Sequence, residues 1–340
     1  MNVLVTGGAG FIGSMLVDRL LERGDRVICL DSFDDFYDPA IKRRNIEMAS
    51  RHPGFVLLEG DIRDVAMMEK LAGEYPFETV IHTAARAGVR PSIRNPRLYE
   101  DVNIKGTMNL LELARKVRPS NFVFLSSSSV YGVNKKVPFS ETDPVDHPVS
   151  PYAATKKACE LICHTYHHLY GLNITCIRPF TVYGPRQRPE MAIHKFTRLI
   201  DRGEPVPMFG DGSSRRDYTY VDDLVDGILN ALDRPLGYDV INLGEEDTIT
   251  LRDLITLIGK NLGRPAEIEV FPDQPGDVPV TFADIRRARE RLGYDPGVKI
   301  EEGIRRFVRW YREQNRRSDQ SVHGTGRNES LKCDPERNRS

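Results

Sequence analysis

Thr6-Gly7-Gly8-Ala9-Gly10-Phe11-Ile12-Gly13 follows directly on the apolar run Val3-Leu4-Val5 and opens an amphipathic stretch from Phe11 to Arg23. A strand, a glycine turn and a helix in that order ask three things of the backbone. The turn must be tight, its surface must be bare beside a ligand, and helix must pack closely on sheet. Gly7, Gly10 and Gly13 meet these needs, at a spacing one residue wider at the start than the GxGxxG form. Amides opening the helix, at Phe11 and Ile12, would then face an anion such as a pyrophosphate. Glycine spacing alone is a weak signal. Here Asp31 ends the next β-branched run, Val27 to Leu30, where a carboxylate accepts both hydroxyls of an adenosine ribose and repels a 2'-phosphate. The pattern predicts a dinucleotide site for NAD rather than NADP. Asp61-Ile62 after the third run could touch the adenine edge, and Ala84-Ala85 after the fourth leave room for the dinucleotide to pass. Packing explains both pairs equally well. Lys42, Arg43 and Arg44 could in principle reach a phosphate, but on a polar helical stretch they read more simply as a solvated face.

Further β-branched runs recur at Phe55 to Glu59, Val80 to His82, Phe122 to Leu125 and Ile174 to Ile177, alternating with helical stretches such as Tyr99 to Lys116 and Pro151 to Tyr170. That rhythm predicts an α/β fold, a doubly wound parallel sheet of the Rossmann kind. Residues 1–178 should form the dinucleotide-binding domain. A segment at about 217–245 should return to it, with Val240-Ile241-Asn242-Leu243 rejoining the sheet. After Arg178-Pro179 prolines and glycines multiply between short helices such as Met191 to Arg202. Residues 179–216 and 246–317 are therefore expected to build a smaller C-terminal α/β substrate-binding domain. Its last helix carries a stripe of Ile300, Ile304, Phe307, Val308 and Tyr311, with Arg305, Arg306, Arg309 and Arg312 facing away. Residues 318–340 are polar and predict a mobile tail.

Among 340 residues, 48 Lys plus Arg stand against 49 Asp plus Glu, a balance that points away from nucleic acid and anionic membranes and toward small molecules or proteins. No apolar run approaches the ~18 residues of a membrane span, and no secretory leader pattern follows Met1. The cysteines (Cys29, Cys159, Cys163, Cys176, Cys333) are odd in number and mostly in apolar contexts, as in a cytosolic protein. Cys159, Cys163 and His167 share a helix face, but the outer two stand about 12 Å apart, too far for one metal ion. No metal site is expected.

Tyr152-Ala-Ala-Thr-Lys156 begins a helix, and the four-residue spacing puts phenol and ammonium on one face. Such a spacing is common by chance. Its weight comes from Ser126-Ser127-Ser128-Ser129-Val130-Tyr131-Gly132, which ends the preceding strand, because a parallel sheet gathers ligand sites at strand carboxyl ends. A phenol with an ordinary pKa near ~10 is a poor base at neutral pH and needs a cation beside it. Lys156 supplies one, and the Ser127 hydroxyl can hold a substrate oxygen against Tyr152.

The glycine turn, Asp31, Gly60-Asp61-Ile62, the serine run and the Tyr152/Lys156 pair together resemble the extended short-chain dehydrogenase/reductases that act on nucleotide sugars. The likeness covers residues 1 to about 315. It implies bound NAD, Tyr152 as general base and acid, Lys156 on the nicotinamide ribose, Ser127 on the substrate hydroxyl and Arg216 on the nucleotide diphosphate. Dehydratases of this family carry an Asp-Glu pair after the hydroxyl residue, and UDP-glucuronate decarboxylases a Glu nearby. This chain has Ser128 and Ser129 there, which leaves abstraction and return of a hydride, an epimerisation.

Closer likeness is to the UDP-glucuronate 4-epimerase group, through Asp35 to Pro39, Ala87-Gly-Val-Arg90, His164-Thr-Tyr166, Phe180 to Pro185, Arg188-Pro-Glu-Met191 and Gly276-Asp277-Val-Pro279. It implies Arg90, Ser128, Ser129, Thr181, Arg188 and Asp277 as substrate contacts, and a two-fold dimer. Gln274 stands where UDP-galactose 4-epimerases usually place an arginine, and Thr281 where they often place a tyrosine. Arg186-Gln187 departs from the Trp-Gly common in the glucuronate group. The alternatives are a UDP-glucose/UDP-galactose 4-epimerase and a non-catalytic NAD-binding scaffold.

Overall fold

A computed structural model describes residues 1–272 and 278–324, with side chains as far as residue 316. Gln274, Asp277, Cys333 and residues 325–340 lie outside the described residues.

The β-branched runs become β1 (Asn2–Thr6), β2 (Arg26–Asp31), β3 (Phe55–Glu59), β4 (Thr79–His82), β5 (Asn121–Leu125) and β6 (Ile174–Pro179). With the strand Tyr238–Leu243 they form one sheet in the order Tyr238–Leu243, β6, β5, β4, β1, β2, β3. Every pairing within it is parallel. Strands covered on both faces read as continuous apolar runs, and Val3, Leu4 and Val5 of β1 are fully buried. The winding reverses between β1 and β4, which opens a crevice at their carboxyl ends.

Helices cover both faces. On one, helix α1 (Phe11–Glu22) packs beside the helix Val221–Asp233 through Val17, Leu20, Leu224 and Ile228. On the other, Leu71, Leu110, Leu111, Cys159 and Cys163 come from three further helices. One of these, Pro151–Tyr170, starts at Ser150, whose Oγ accepts the Ala153 N–H at 3.2 Å, with a proline at the first helical position. That cap places Tyr152 and Lys156 in the opening turns, at the crevice.

The stretch Tyr99 to Lys116 is less regular than its pattern predicts. A short helix Pro96–Tyr99 passes through a wide π turn, Glu100–Lys105, into the helix Gly106–Val117. Asn103 accounts for it: its amide accepts the Arg86 N–H at 2.7 Å and donates to the Arg86 carbonyl at 3.1 Å, so the turn widens to hold it inward.

Beyond β6 the chain builds short pairings, Thr181–Tyr183 with Tyr218–Tyr220 and Val206–Phe209 with Ile268–Phe271. A separate apolar cluster of Ile193, Phe196, Ile258, Ile304 and Phe307 fills this region. The last helix, Ile300–Gly324, runs past residue 318, where the polar composition predicts a tail. Among the described residues no helix is long and apolar enough to cross a membrane.

Candidate active site

The crevice between β1 and β4 deepens into a cavity of about 390 Å³. At one end Gly7 turns with φ +70°, and its amide donates to Leu30 O at 2.7 Å. A Cβ on Gly13 would stand 2.1 Å from the Gly7 carbonyl oxygen, so only glycine lets α1 approach this closely. Gly10 caps α1 without a side-chain acceptor, which leaves the first-turn amides of Phe11 and Ile12 for a ligand. Asp31 is buried beside them. Its two oxygens accept Ala9 N at 3.0 Å and Phe33 N at 2.9 Å, and each keeps a lone pair for another donor. Bare amides next to a carboxylate with spare acceptors fit the pyrophosphate and ribose of NAD.

Asp61, Ile62, Ala84 and Ala85 line the same end. The Asp61 carboxylate is also gripped by Arg63, through Nε at 3.0 Å and Nη2 at 2.6 Å, and these hydrogen bonds hold its pKa below the ordinary value. Lys42 corrects the sequence reading: Arg43 and Arg44 are exposed, but Lys42 is buried in the cavity wall, donating to Asp34 O at 2.7 Å. Asp34 and Tyr37, both in the loop after β2, contact its ammonium, which lies 4.9 Å over the Tyr37 ring. Burial lowers the Lys42 ammonium, against the pull of Asp31 and Asp34.

At the other end Ser127, Ser128, Ser129, Tyr152, Lys156, Thr181 and Arg188 line the wall. Ser127 Oγ accepts the Ser129 N–H at 3.1 Å and is within hydrogen-bonding reach of the Tyr152 phenol. Burial raises the Tyr152 pKa, while the Ser127 hydrogen bond and the Arg188 charge pull it down. Lys156 is 3 % exposed; its Nζ donates to Leu125 O at 2.6 Å and sits 4.9 Å over the Phe124 ring. Burial lowers its pKa to about 8. Arg188 pairs with Glu190 at 2.8 Å and lies 5.6 Å over the Phe36 ring, which Arg86 also covers at 4.7 Å. A phenol, a hydroxyl and an ammonium at the strand ends can move one proton to and from a substrate hydroxyl.

The carboxylates among the lining residues are Asp31, at the end of β2, and Asp34 and Asp61, in the loops after β2 and β3; Asp34 pairs with Arg86. Arg90 and Arg216 do not line the cavity. The Arg90 guanidinium lies 5.2 Å over the Phe209 ring, and Arg216 Nη1 donates to Arg215 O at 2.9 Å. Cys159 and Cys163 are buried thiols, and no group of three or more His, Cys, Asp or Glu among the described residues is arranged to hold a metal. Arg86 and Asn103 escaped the sequence reading. Asn103 also donates to Thr155 Oγ1 at 3.1 Å, tying the loop after β4 to the helix that carries Tyr152. An amide on the buried face of a helix was the only signal available.

Residues 3–244 match the model of the NAD dependent epimerase/dehydratase family. The chain belongs to that family. It is 45% identical over 329 residues to UDP-glucuronate 4-epimerase 4 of Arabidopsis thaliana, covering 92% of this chain and 75% of the relative. Among solved structures it resembles UDP-glucuronic acid 4-epimerase from Bacillus cereus in complex with UDP-glucuronic acid and NAD. That match has a TM-score of 0.87 and 34% identity, covering 92% of this chain and 100% of the other. It also resembles UDP-glucose 4-epimerase from Thermotoga maritima with UDP-glucose, with a TM-score of 0.86 and 37% identity over 93% and 100% of the two chains.

The buried lysine has a thermodynamic signature. Its folded pKa of about 8 lies below the ordinary 10.5, so between those values the unfolded chain holds the extra proton and stability rises with pH. Relative to Lys156→Met, the NAD-stripped protein should therefore gain stability in urea unfolding as pH goes from about 8 to about 10.5, with no relative change below that window. A flat difference across it would remove burial as the dominant influence on Lys156.

Proposed function

We propose that this chain is an NAD-dependent isomerase that inverts C4 of UDP-glucuronate, giving UDP-galacturonate through a 4-keto sugar. The observation that carries the reading is the Ser127, Tyr152 and Lys156 group in one cavity with the glycine turn and Arg188, with Ser128 and Ser129 in the lining just after Ser127. A carboxylate at those two positions would serve elimination of water or loss of carbon dioxide. Serines there leave proton and hydride exchange at a carbinol.

In this reading the amides at Gly10, Phe11 and Ile12 hold the pyrophosphate of NAD, beside the Gly7 and Gly13 contact. Asp31 holds the adenosine ribose and disfavours a 2'-phosphate. Asp61 and Ile62 meet the adenine, Ala84 and Ala85 flank the path between, and Lys156 holds the nicotinamide ribose. When bound, NAD supplies the hydride acceptor and donor for C4. Tyr152 takes the proton of the C4 hydroxyl as the carbonyl forms and returns it once the sugar has presented its other face. Ser127 Oγ holds the C4 oxygen in line with the phenol. Burial raises the Tyr152 pKa; the Ser127 hydrogen bond and the Arg188 charge oppose it, and the positive ring of bound NAD would add to that pull.

Arg188, with Thr181, Ser128 and Ser129, holds the substrate carboxylate. The 4-keto intermediate is a β-keto acid, which loses carbon dioxide when its carboxylate rotates out of the sugar plane. Fixed charge-assisted hydrogen bonds oppose that rotation. Arg90, Arg216 and Asp277 would meet the rest of the nucleotide sugar beyond the cavity. The glucuronate epimerases of Arabidopsis and Bacillus support this sugar, whereas the likeness to the Thermotoga enzyme favours UDP-glucose as a second reading.

The protein is proposed to work as a homodimer in the cytoplasm. Met108, Leu161 and Leu169 are 43%, 58% and 60% exposed on the helices Gly106–Val117 and Pro151–Tyr170, an apolar set suited to a two-fold helix interface. The buried free thiols suit a reducing compartment.

Tyr152→Phe is expected to fold and bind NAD in preference to NADP, yet lose epimerisation by roughly 10³-fold or more, read by NMR of the products. Activity within tenfold of wild type would take Tyr152 out of this role. Arg188→Ala should reduce turnover of UDP-glucuronate by roughly 30-fold or more, through loss of about 2 to 5 kcal/mol of carboxylate binding, and spare any side activity on UDP-glucose. Equal losses on both sugars would assign Arg188 to the shared nucleotide. Light scattering at micromolar concentration should report a dimer, which Leu161→Asp weakens; a monomeric wild type would rule the dimer out.

A further inference from the structure

Behind the serines that face the cavity lies a charge pair that the proposed chemistry does not use. Glu160 and Arg178 are 0% and 2% exposed. Arg178, on β6, donates from Nε to Glu160 Oε1 and from Nη2 to Oε2, each at 2.8 Å. The same Oε1 accepts the Ser126 hydroxyl at 2.7 Å, and Oε2 accepts Lys157 Nζ at 3.2 Å. The Arg178 guanidinium also lies 4.9 Å over the Tyr131 ring, at the end of the serine turn. One carboxylate thus joins the helix Pro151–Tyr170, β6 and the chain leaving β5.

A buried ion pair is a poor source of stability, because taking two charges out of water offsets their attraction. Fixing register is a better account. Tyr152, Lys156 and Glu160 recur every fourth residue on one helix face, and Ser126 immediately precedes Ser127. We propose that Glu160 and Arg178 are positioning residues: their ion pair locks the end of β5 to this helix, so that Ser127 meets Tyr152 and a carboxylate stays fixed one helical turn from Lys156. The proposal rests on the catalytic reading of those three residues.

The groups around Lys156 agree with it. Cys159, Glu160 and Cys163 act on it from its own helix, Cys176 from β6, where Arg178 holds Glu160, and His82 from β4. Burial raises the Cys159 and Cys163 thiols and pushes His82 down to about 3, so all three are neutral near pH 7. Glu160 is held ionised against its own burial, chiefly by Arg178, and it raises the Lys156 pKa that burial depresses.

Two variants separate positioning from packing. Ser126→Ala removes only the hydroxyl that binds Glu160, and Glu160→Leu/Arg178→Met replaces the pair with apolar groups, a swap that buried ion pairs often tolerate without loss of stability. Both should melt near wild type and keep NAD, with kcat on UDP-glucuronate down roughly tenfold or more and KM within about twofold. In protein carrying 13C-labelled lysine, the Lys156 resonance, identified with Lys156→Arg, should titrate roughly one pH unit lower in Glu160→Gln than in wild type. Wild-type kcat in a well-folded double variant, or an unmoved Lys156 midpoint in Glu160→Gln, overturns the proposal. Should the double variant or Glu160→Gln fail to fold, the kcat of Ser126→Ala, which leaves the pair intact, decides it. A wild-type protein that turns over no UDP-sugar sinks the epimerase reading, and the Lys156 titration still decides this one.

Discussion

The contact of Gly13 with the Gly7 carbonyl, where even a methyl group would stand 2.1 Å from oxygen, sets where α1 begins. From that contact the rest of the site is built outward. The turn it closes is tied to β2 through Gly7 N and Leu30 O, and to Asp31 through Ala9 N at 3.0 Å. On its other side Thr83 Oγ1 donates to Thr6 O at 2.7 Å and joins the end of β4 to the end of β1. The helix amides, the Asp31 carboxylate and the loop after β4 therefore keep fixed places around the point where the sheet reverses its winding.

Charges of both signs line the cavity that results. Asp31, Asp34 and Asp61 come from the end of β2 and the loops after β2 and β3; Asp34 pairs with Arg86, and Arg188, over the same Phe36 ring as Arg86, pairs with Glu190. Interactions between such charges are stronger in a partly dry cavity than in water. Burial raises the Tyr152 pKa there, and the Arg188 charge and the Ser127 hydrogen bond pull against it. Behind this wall two polar groups tie separate elements together. His82, neutral through burial, bridges Thr6 and Thr107 at 2.8 and 3.0 Å, and Asn103 clamps the Arg86 backbone. Such bonded networks lock the loops they join.

Local pattern carried much of this in advance. Strand runs, the glycine turn, the helix from Pro151 and the four-residue step from Tyr152 to Lys156 each depend on periodicity or on residues within one turn of each other. These are short-range properties, and the corresponding elements stand within a residue or two of their expected bounds, save at the π turn. Lys42 was misjudged because the pattern of its own helix says nothing of its contacts with Asp34 and Tyr37 in the preceding loop. Arg90 and Arg216, expected as substrate contacts on likeness of motif, lie outside the cavity lining, with the Arg90 guanidinium over the Phe209 ring and Arg216 Nη1 on the Arg215 carbonyl.

By itself, then, the chain's order of residues determined the parallel α/β sheet, the turn at Gly7 to Gly13 and the identity of Asp31, Ser127, Tyr152 and Lys156 as cavity residues, because hydrophobic period and glycine spacing act over a few residues. Tertiary structure alone decided that Arg188 from the loop after β6 shares the Phe36 ring with Arg86 from the loop after β4. It alone joined Glu160 to Arg178 and Ser126, and set Asn103 against Arg86 and Thr155. Each of these contacts links separate strands or helices, and which partners meet is settled only when buried polar groups on those elements must satisfy one another away from water.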